Sequence, residues 1–242
     1  MRLPLLLLLL WNSLVLAEVS AIIDPDLNRA FGRYAPAAEA VLERRFHHAG
    51  VDYPPQRVQF IALKDRRIVE LWVFSDTQWK HVHDYPVLAA SGVSGPKLRE
   101  GDRQVPEGFY RIEALNPNSA FHLSMKLDYP NTFDWANASV EGRMQPGSNI
   151  FIHGSTWSAG CLAMGNRAIE ELFVLVARIG VEQAGVLIAP RDFRLHSAAV
   201  KQNSVPWVRE LYRYLAARLQ QFPLAAKVVP CNSECDRLAA VH

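Results

Sequence analysis

The chain has 242 residues, half of them hydrophobic and 21% charged, with a formal net charge of +2. That is enough material for a sizeable core around one main domain with small terminal additions. The near-neutral balance, with no dense Lys/Arg run interleaved with aromatics, argues against a nucleic-acid binder.

In chain order, one arginine is followed by six consecutive leucines and then by small residues at cleavage-like positions. Residues 1–21 therefore read as a signal peptide cut after Ala17 or Ala21. The apolar run, interrupted by Asn12 and Ser13, is shorter than the roughly 20 residues of a membrane-crossing helix. No integral membrane span is expected in the mature form, which is placed outside the cytoplasm. From 24 to 49 apolar residues recur at helical intervals broken at Pro36, which predicts one or two short helices.

After Pro54 and Pro55 the pattern turns to strands: a hairpin of 58–63 and 68–74 about a turn at 64–66, then a third strand within 79–90. Residues 95–108, dense in turn formers and charges, predict a long ordered loop. Strands resume at 109–115 and 121–129, separated by a turn at 116–119, and Asp128 to Asn131 reads as a plain turn. A short strand at 149–153 ends in His153. Asn166 is expected to cap a helix running to Ile179, with Ile169, Leu172, Phe173 and Val176 on one face. A last strand at 185–190 and an amphipathic helix at 205–222 complete the chain.

Strands grouped in the middle with helices at the flanks predict an α+β fold that is mainly β, with a mixed or antiparallel sheet. The expected division is 1–21 signal peptide, 22–55 N-terminal helical segment, 56–190 catalytic domain and 191–242 C-terminal helical extension.

Three cysteines are present. Cys231 and Cys235 are close enough to be joined in an oxidising compartment, whereas Cys161 is left without a partner. A lone cysteine is commonly a buried structural residue, but His153 lies eight positions upstream. A strand ending at His153 and a tight loop back to Cys161 bring imidazole and thiol within reach, which is what a thiolate nucleophile requires. Gly154 and Gly160 permit the sharp backbone, and the N–H groups of Gly160 and Cys161 are the expected oxyanion donors. His81 and His83, spaced as on one strand face beside Asp84, suggest two metal ligands without a third. A solvated face is the reading taken, and no metal or other cofactor is expected. Trp157, inside the loop, either lines the cleft or fills a gap beneath it.

The string His153-Gly154 followed by Ser158-Ala159-Gly160-Cys161 resembles the L,D-transpeptidase catalytic domain family, the YkuD type. So do Ser91-Gly92, Gly95-Pro96-Lys97, Glu100-Gly101-Asp102 and the run from Val105 to Tyr110. The short loop and the ending Gly160-Cys161-Leu162-Ala163-Met164 are most similar to its YafK-like branch. Better-known members carry a His directly before Gly-Cys and an Arg two positions after the Cys, where this chain has Ala159 and Ala163.

The resemblance implies an exported, periplasmic enzyme of cell-wall biogenesis or remodelling. Its substrate would be a peptidoglycan stem peptide, attacked by Cys161 to give a thioester, with His153 as base and the Gly154 carbonyl orienting it. It places Ser158, Lys97 and Asp102 on the substrate side, although a solubilising role for the loop charges is the alternative. An amine acceptor would give transfer. Water would give hydrolysis, and in the YafK-like branch would detach a wall-bound outer-membrane lipoprotein. The reading from another class is a wall-binding module that has lost catalysis.

Overall fold

The computed structural model describes residues 24–200 and 204–224. The signal-peptide segment and the Cys231 and Cys235 pair lie outside the described residues. No helix among the described residues is long and apolar enough to cross a membrane.

Eight strands form one mixed sheet. They are β1 (Val58–Leu63), β2 (Ile68–Ser75), β3 (Gln78–Pro86), β4 (Gly108–Asn116), β5 (Ser124–Leu127), β6 (Phe151–His153), β7 (Leu162–Ala163) and β8 (Ala184–Ala189), in the order β3-β2-β1-β8-β4-β5-β6-β7. The β1/β8 and β6/β7 pairs are parallel and the others antiparallel. The chain just after β3 returns to β7: Leu88 N–H donates to Ala163 O at 2.9 Å, and Ala163 N–H to Ala89 O at 2.9 Å. The sheet therefore curls, and β7 has neighbours on both sides.

Side-chain alternation sorts the core onto two faces. Val58, Phe60 and Ala62 of β1, Val69, Leu71 and Val73 of β2, and Val186 and Ile188 of β8 join the larger cluster. Helix α1 (Pro25–His48) contributes Leu42 and Phe46 to it, and α3 (Asn166–Ile179) contributes Ile169, Leu172, Phe173 and Val176. Ile61, Leu63, Trp72, Leu187 and Ala189 point the other way, onto α4 (Val208–Leu219), which presents Val208, Leu211, Leu215 and Leu219 at helical spacing. Packing against the second face of the sheet is thus the role of the C-terminal helix.

Four local expectations need correction. Helix α1 is continuous through Pro36. Pro36 and Gly32 are both exposed, so the carbonyl at position 32 that loses its i+4 donor faces solvent, and nothing lies within 4 Å of the space a Gly32 Cβ would fill. The Asp128 to Asn131 turn opens α2 (Thr132–Val140), which sequence reading missed. Asn131 caps it, accepting from Phe133 N and Asp134 N, while Asp134 accepts from Asn131 N at 3.0 Å, a reciprocal box. Asn166 does not cap α3, whose N-cap is Gly165; its Oδ1 accepts from Ser155 N at 2.9 Å.

The fourth concerns His81 and His83. A register shift between Leu71 and Trp72 pairs Leu71 with His83 but Trp72 with His81. That bulge turns the two imidazoles to opposite faces. His81 accompanies Trp72 and bonds Asp84 Oδ1 at 2.7 Å; His83 sits edge-on to Tyr85 at 4.7 Å. Burial, helped by the Arg45 guanidinium, pushes His83 down to about 4. Among the described residues no group of three His, Cys, Asp or Glu side chains is arranged to hold a metal ion.

Candidate active site

The register of β5, β6 and β7 decides which residues meet. Met125, Ile152 and Leu162 are in register and all enter the larger core cluster. Their neighbours in sequence therefore project from the opposite face: Ser124 and Lys126 from β5, Phe151 and His153 from β6, Ala163 from β7. Cys161, one residue before β7, continues this alternation and lies level with Phe151. The Phe151 backbone bonds the thiol sulfur, and Asn149 O lies 3.8 Å from Sγ. With strands about 4.8 Å apart and a two-residue offset of about 6.6 Å, His153 and Cys161 face the same space at roughly 8 Å between Cα atoms.

The loop joining them is closed at both ends. Met164 N–H donates to His153 O at 2.8 Å, Gly165 N–H to Ser155 O at 3.0 Å, and Gly154 N–H to Leu123 O at 3.0 Å. A Cβ on Gly154 would stand 2.6 Å from Phe121 O and 2.9 Å from Asn166 Oδ1, so only glycine fits. Gly160 is needed for its backbone, with φ of 109°.

His153 is 2% exposed, and its Nδ1 lies 2.6 Å from the Gly154 carbonyl oxygen. A carbonyl only accepts, so Nδ1 carries the proton and Nε2 is left as a basic lone pair. The Phe121 ring covers the imidazole at 4.7 Å, and Trp157 stacks on Phe121 at 6.2 Å. Trp157 thus extends an apolar wall while remaining 61% exposed.

Burial lowers the His153 pKa from its usual value, partly opposed by the bond to Gly154. Burial also raises the Cys161 thiol, against the Phe151 backbone bond and the Lys97 charge, which lower it. Both shifts favour a neutral thiol beside a neutral imidazole over a standing ion pair. The rate of Cys161 alkylation by iodoacetamide is accordingly expected to climb about tenfold per pH unit from 6 to 9, its midpoint lying above the ordinary thiol value. A plateau between pH 6 and 8, measured by mass spectrometry of the labelled protein, would instead reveal a preformed thiolate.

Other expected site residues are engaged within the protein. Ser158 Oγ donates to Cys161 O at 2.6 Å and accepts from Cys161 N at 3.0 Å. The Cys161 N–H expected as an oxyanion donor is therefore already bonded in this arrangement, while the Gly160 N–H makes no hydrogen bond among the described residues. Lys97 and Asp102, expected to meet substrate, pair with each other at 2.6 Å. Asp102 also accepts from the backbone N–H groups of Leu98, Arg99 and Gln104, so a chain turn explains it better than a ligand does.

This long loop is braced by residues that sequence reading passed over. Gln104 bonds Val93 N at 2.8 Å and the Gly95 carbonyl through its amide, filling the space beside Gly92. Glu107 accepts from Lys64 Nζ at 2.8 Å, Gly95 N at 2.7 Å and Tyr212 OH at 2.7 Å. Phe121 and Asn166 were likewise missed. Their importance comes from contacts with the 153–155 segment, which no local spacing encodes. Glu107 at least stood inside the matched Val105 to Tyr110 run.

The sequence pattern of the L,D-transpeptidase catalytic domain, YkuD, matches residues 57–188, more than half of the chain. The provisionally named L,D-transpeptidase YafK of Escherichia coli (strain K12) is 30% identical over 167 residues, covering 68% of this chain. The chain spans 65% of the length of that relative. Among solved structures, the helical cell shape determining protein Pgp2 from Campylobacter jejuni is 17% identical, covering 70% of this chain and 71% of its own, with a TM-score of 0.45. Bd1075 of Bdellovibrio bacteriovorus is 19% identical, covering 70% and 57%, with a TM-score of 0.42.

Proposed function

The chain belongs to the YkuD family of L,D-transpeptidase catalytic domains, and from that premise we propose that it is an exported cysteine enzyme acting on peptidoglycan stem peptides in the periplasm. The carrying observation is the 2.6 Å contact between His153 Nδ1 and Gly154 O, which leaves Nε2 as the base on the sheet face that also bears Cys161.

In the proposed reaction Nε2 takes the Cys161 proton as the sulfur attacks the carbonyl on the L-centre of the diamino acid. The tetrahedral intermediate places its negative charge on oxygen, near the Gly160 N–H. Collapse expels the amine, which receives the proton from His153, and a thioester remains. A second amine then takes the acyl group, or water does, with His153 accepting the proton of either and returning it to the Cys161 sulfur as the thioester bond breaks. No metal is required by either route.

Hydrolysis is the second reading, favoured by position 163. Ala163 is 0% exposed and its backbone is paired with Ala89, so this chain has neither the arginine nor the room for it beside the nucleophile. The corresponding activity is release of lipoprotein from the wall. Purified protein incubated with sacculi carrying bound lipoprotein, followed by mass spectrometry of the fragments, separates the two. New cross-links between diamino acids are expected for transfer, and freed lipoprotein without them for hydrolysis. If neither appears and Cys161 is never acylated, the enzyme reading gives way to a wall-binding module.

A further inference from the structure

The first turns of α3 reach both arms of the site from one helix face. Asn166 and Glu170, four residues apart, project from the same side of the helix. Asn166 Oδ1 accepts from Ser155 N at 2.9 Å, and Glu170 Oε1 lies 2.6 Å from His122 Nε2. A carboxylate only accepts, so His122 Nε2 carries the proton of that bond. At Gly154 an added Cβ would stand 2.6 Å from Phe121 O, 2.9 Å from Asn166 Oδ1 and 3.0 Å from His122 Cβ. Segments 121–122 and 153–155 are therefore in direct contact, and one residue of α3 fixes each.

His122 depends on that anchor. Its φ is 77°, in the left-handed region that a residue other than glycine rarely adopts and keeps only where its surroundings over-determine it. Those surroundings are Glu170 and the Tyr34 ring of α1, edge-on at 5.2 Å. Arg33 lies over Tyr34 at 5.3 Å and takes no part in the bond to Glu170. The left-handed turn at His122 sets how the chain leaves Phe121, whose ring lies 4.7 Å from the His153 imidazole and is stacked with Trp157 at 6.2 Å.

We propose that His122 and Glu170 are positioning residues for the base: their bond holds Phe121 over His153, and through Phe121 it shields the imidazole from water and keeps it aligned with the Gly154 carbonyl. Neither side chain takes part in the proton transfers described above. The inference rests on the reading of His153 as base and adds to it the device, anchored on α3, that keeps this base in place. Burial is what lowers the His153 pKa, so an uncovered ring titrates closer to the ordinary histidine value.

The test is an NMR titration of full-length, nitrogen-labelled protein, reading the midpoint of the His153 ring, which a His153→Gln spectrum identifies. Glu170→Ala is expected to move the midpoint upward. His122→Asn should do the same, since asparagine tolerates the left-handed backbone but falls short of Glu170. Glu170→Gln, whose amide oxygen still accepts from Nε2, should keep the parent midpoint. Phe121→Ala should also raise it, and adding Glu170→Ala should raise it no further, because the two act on one contact. With sacculi, Glu170→Ala is expected to lose about 10-fold in kcat with KM within about twofold and melting temperature within a few degrees. The assignment is overturned by an unmoved midpoint in both Glu170→Ala and His122→Asn, by failure of glutamine to rescue, by a full further rise in the Phe121→Ala background, or by an unchanged kcat. The midpoint is read without substrate, so a parent protein that turns over no sacculi strikes the stem-peptide reading alone.

Discussion

Replacing Cys161 with alanine is expected to lower turnover of sacculus-bound stem peptides by at least about 10⁴-fold. The loss should appear in kcat, because in the proposed reaction the sulfur forms the bond that defines the acyl-enzyme. Cys161 is only half buried, and its sulfur makes one long contact with Asn149 O besides the Phe151 backbone bond. The variant should therefore melt within a few degrees of the parent. Cys161→Ser should be nearly as inactive, since His153, its pKa lowered by burial, is a weak base for a hydroxyl. Turnover above a tenth of the parent value in a folded Cys161→Ala protein would remove the thioester from the mechanism.

The largest stability effect is expected at Glu107. Its side chain is fully buried, and that of Lys64 is 9% exposed. Glu107→Ala would remove the counter-charge of the Lys64 ammonium, leaving it only the Gly95 and Val105 carbonyls, and would leave Gly95 N–H and Tyr212 OH without their acceptor. Breaking such a pair costs about 3–5 kcal/mol, or on the order of 10 °C in melting temperature for a domain of this size. The figure is the cost of leaving a charge unpaired, since burial already lowers the Lys64 pKa despite Glu107 beside it.

The sign of the pH dependence follows. A lysine whose folded pKa lies below its unfolded value binds fewer protons when folded, so stability rises with pH between the two values. Without Glu107 that gap widens. The deficit of the variant should be greatest at neutral pH and shrink as pH climbs toward 10.5, the ordinary lysine value. A deficit independent of pH in thermal melts would show that the unpaired ammonium is not its cause. Because Gly160 lies against Gln104 in the same braced loop, activity of the folded fraction should fall as well.

Much of this architecture was legible because its signals are local. Near-continuous apolar runs in 58–63 and 68–74 mark strands whose two faces are both covered, and the three- and four-residue spacing of Ile169, Leu172, Phe173 and Val176 marks α3. Helix α2 escaped because its apolar pattern is weak and its start follows a proline. The Asn131 and Asp134 pair, three residues apart, was the available signal. Pro36 misled for the opposite reason: its cost depends on which way one carbonyl faces, and burial decides that.

At the site, sequence supplied the expectation that His153 and Cys161 act as a pair. An imidazole followed by glycine, and a thiol preceded by glycine eight residues later, fit a tight return between two strand ends, and the family resemblance rests on those residues together with the matched segments from Ser91 to Tyr110. Tertiary structure decided everything that depends on register and on partners from elsewhere in the chain. The bulge at β3 separated His81 from His83. Asn166, Phe121 and Glu107 became supports of the site through contacts with segments distant in sequence. Lys97 and Asp102 were turned toward each other. The reason is that a residue's identity fixes which bonds it can make, whereas only the packed sheet fixes which partners come within about 3 Å of it.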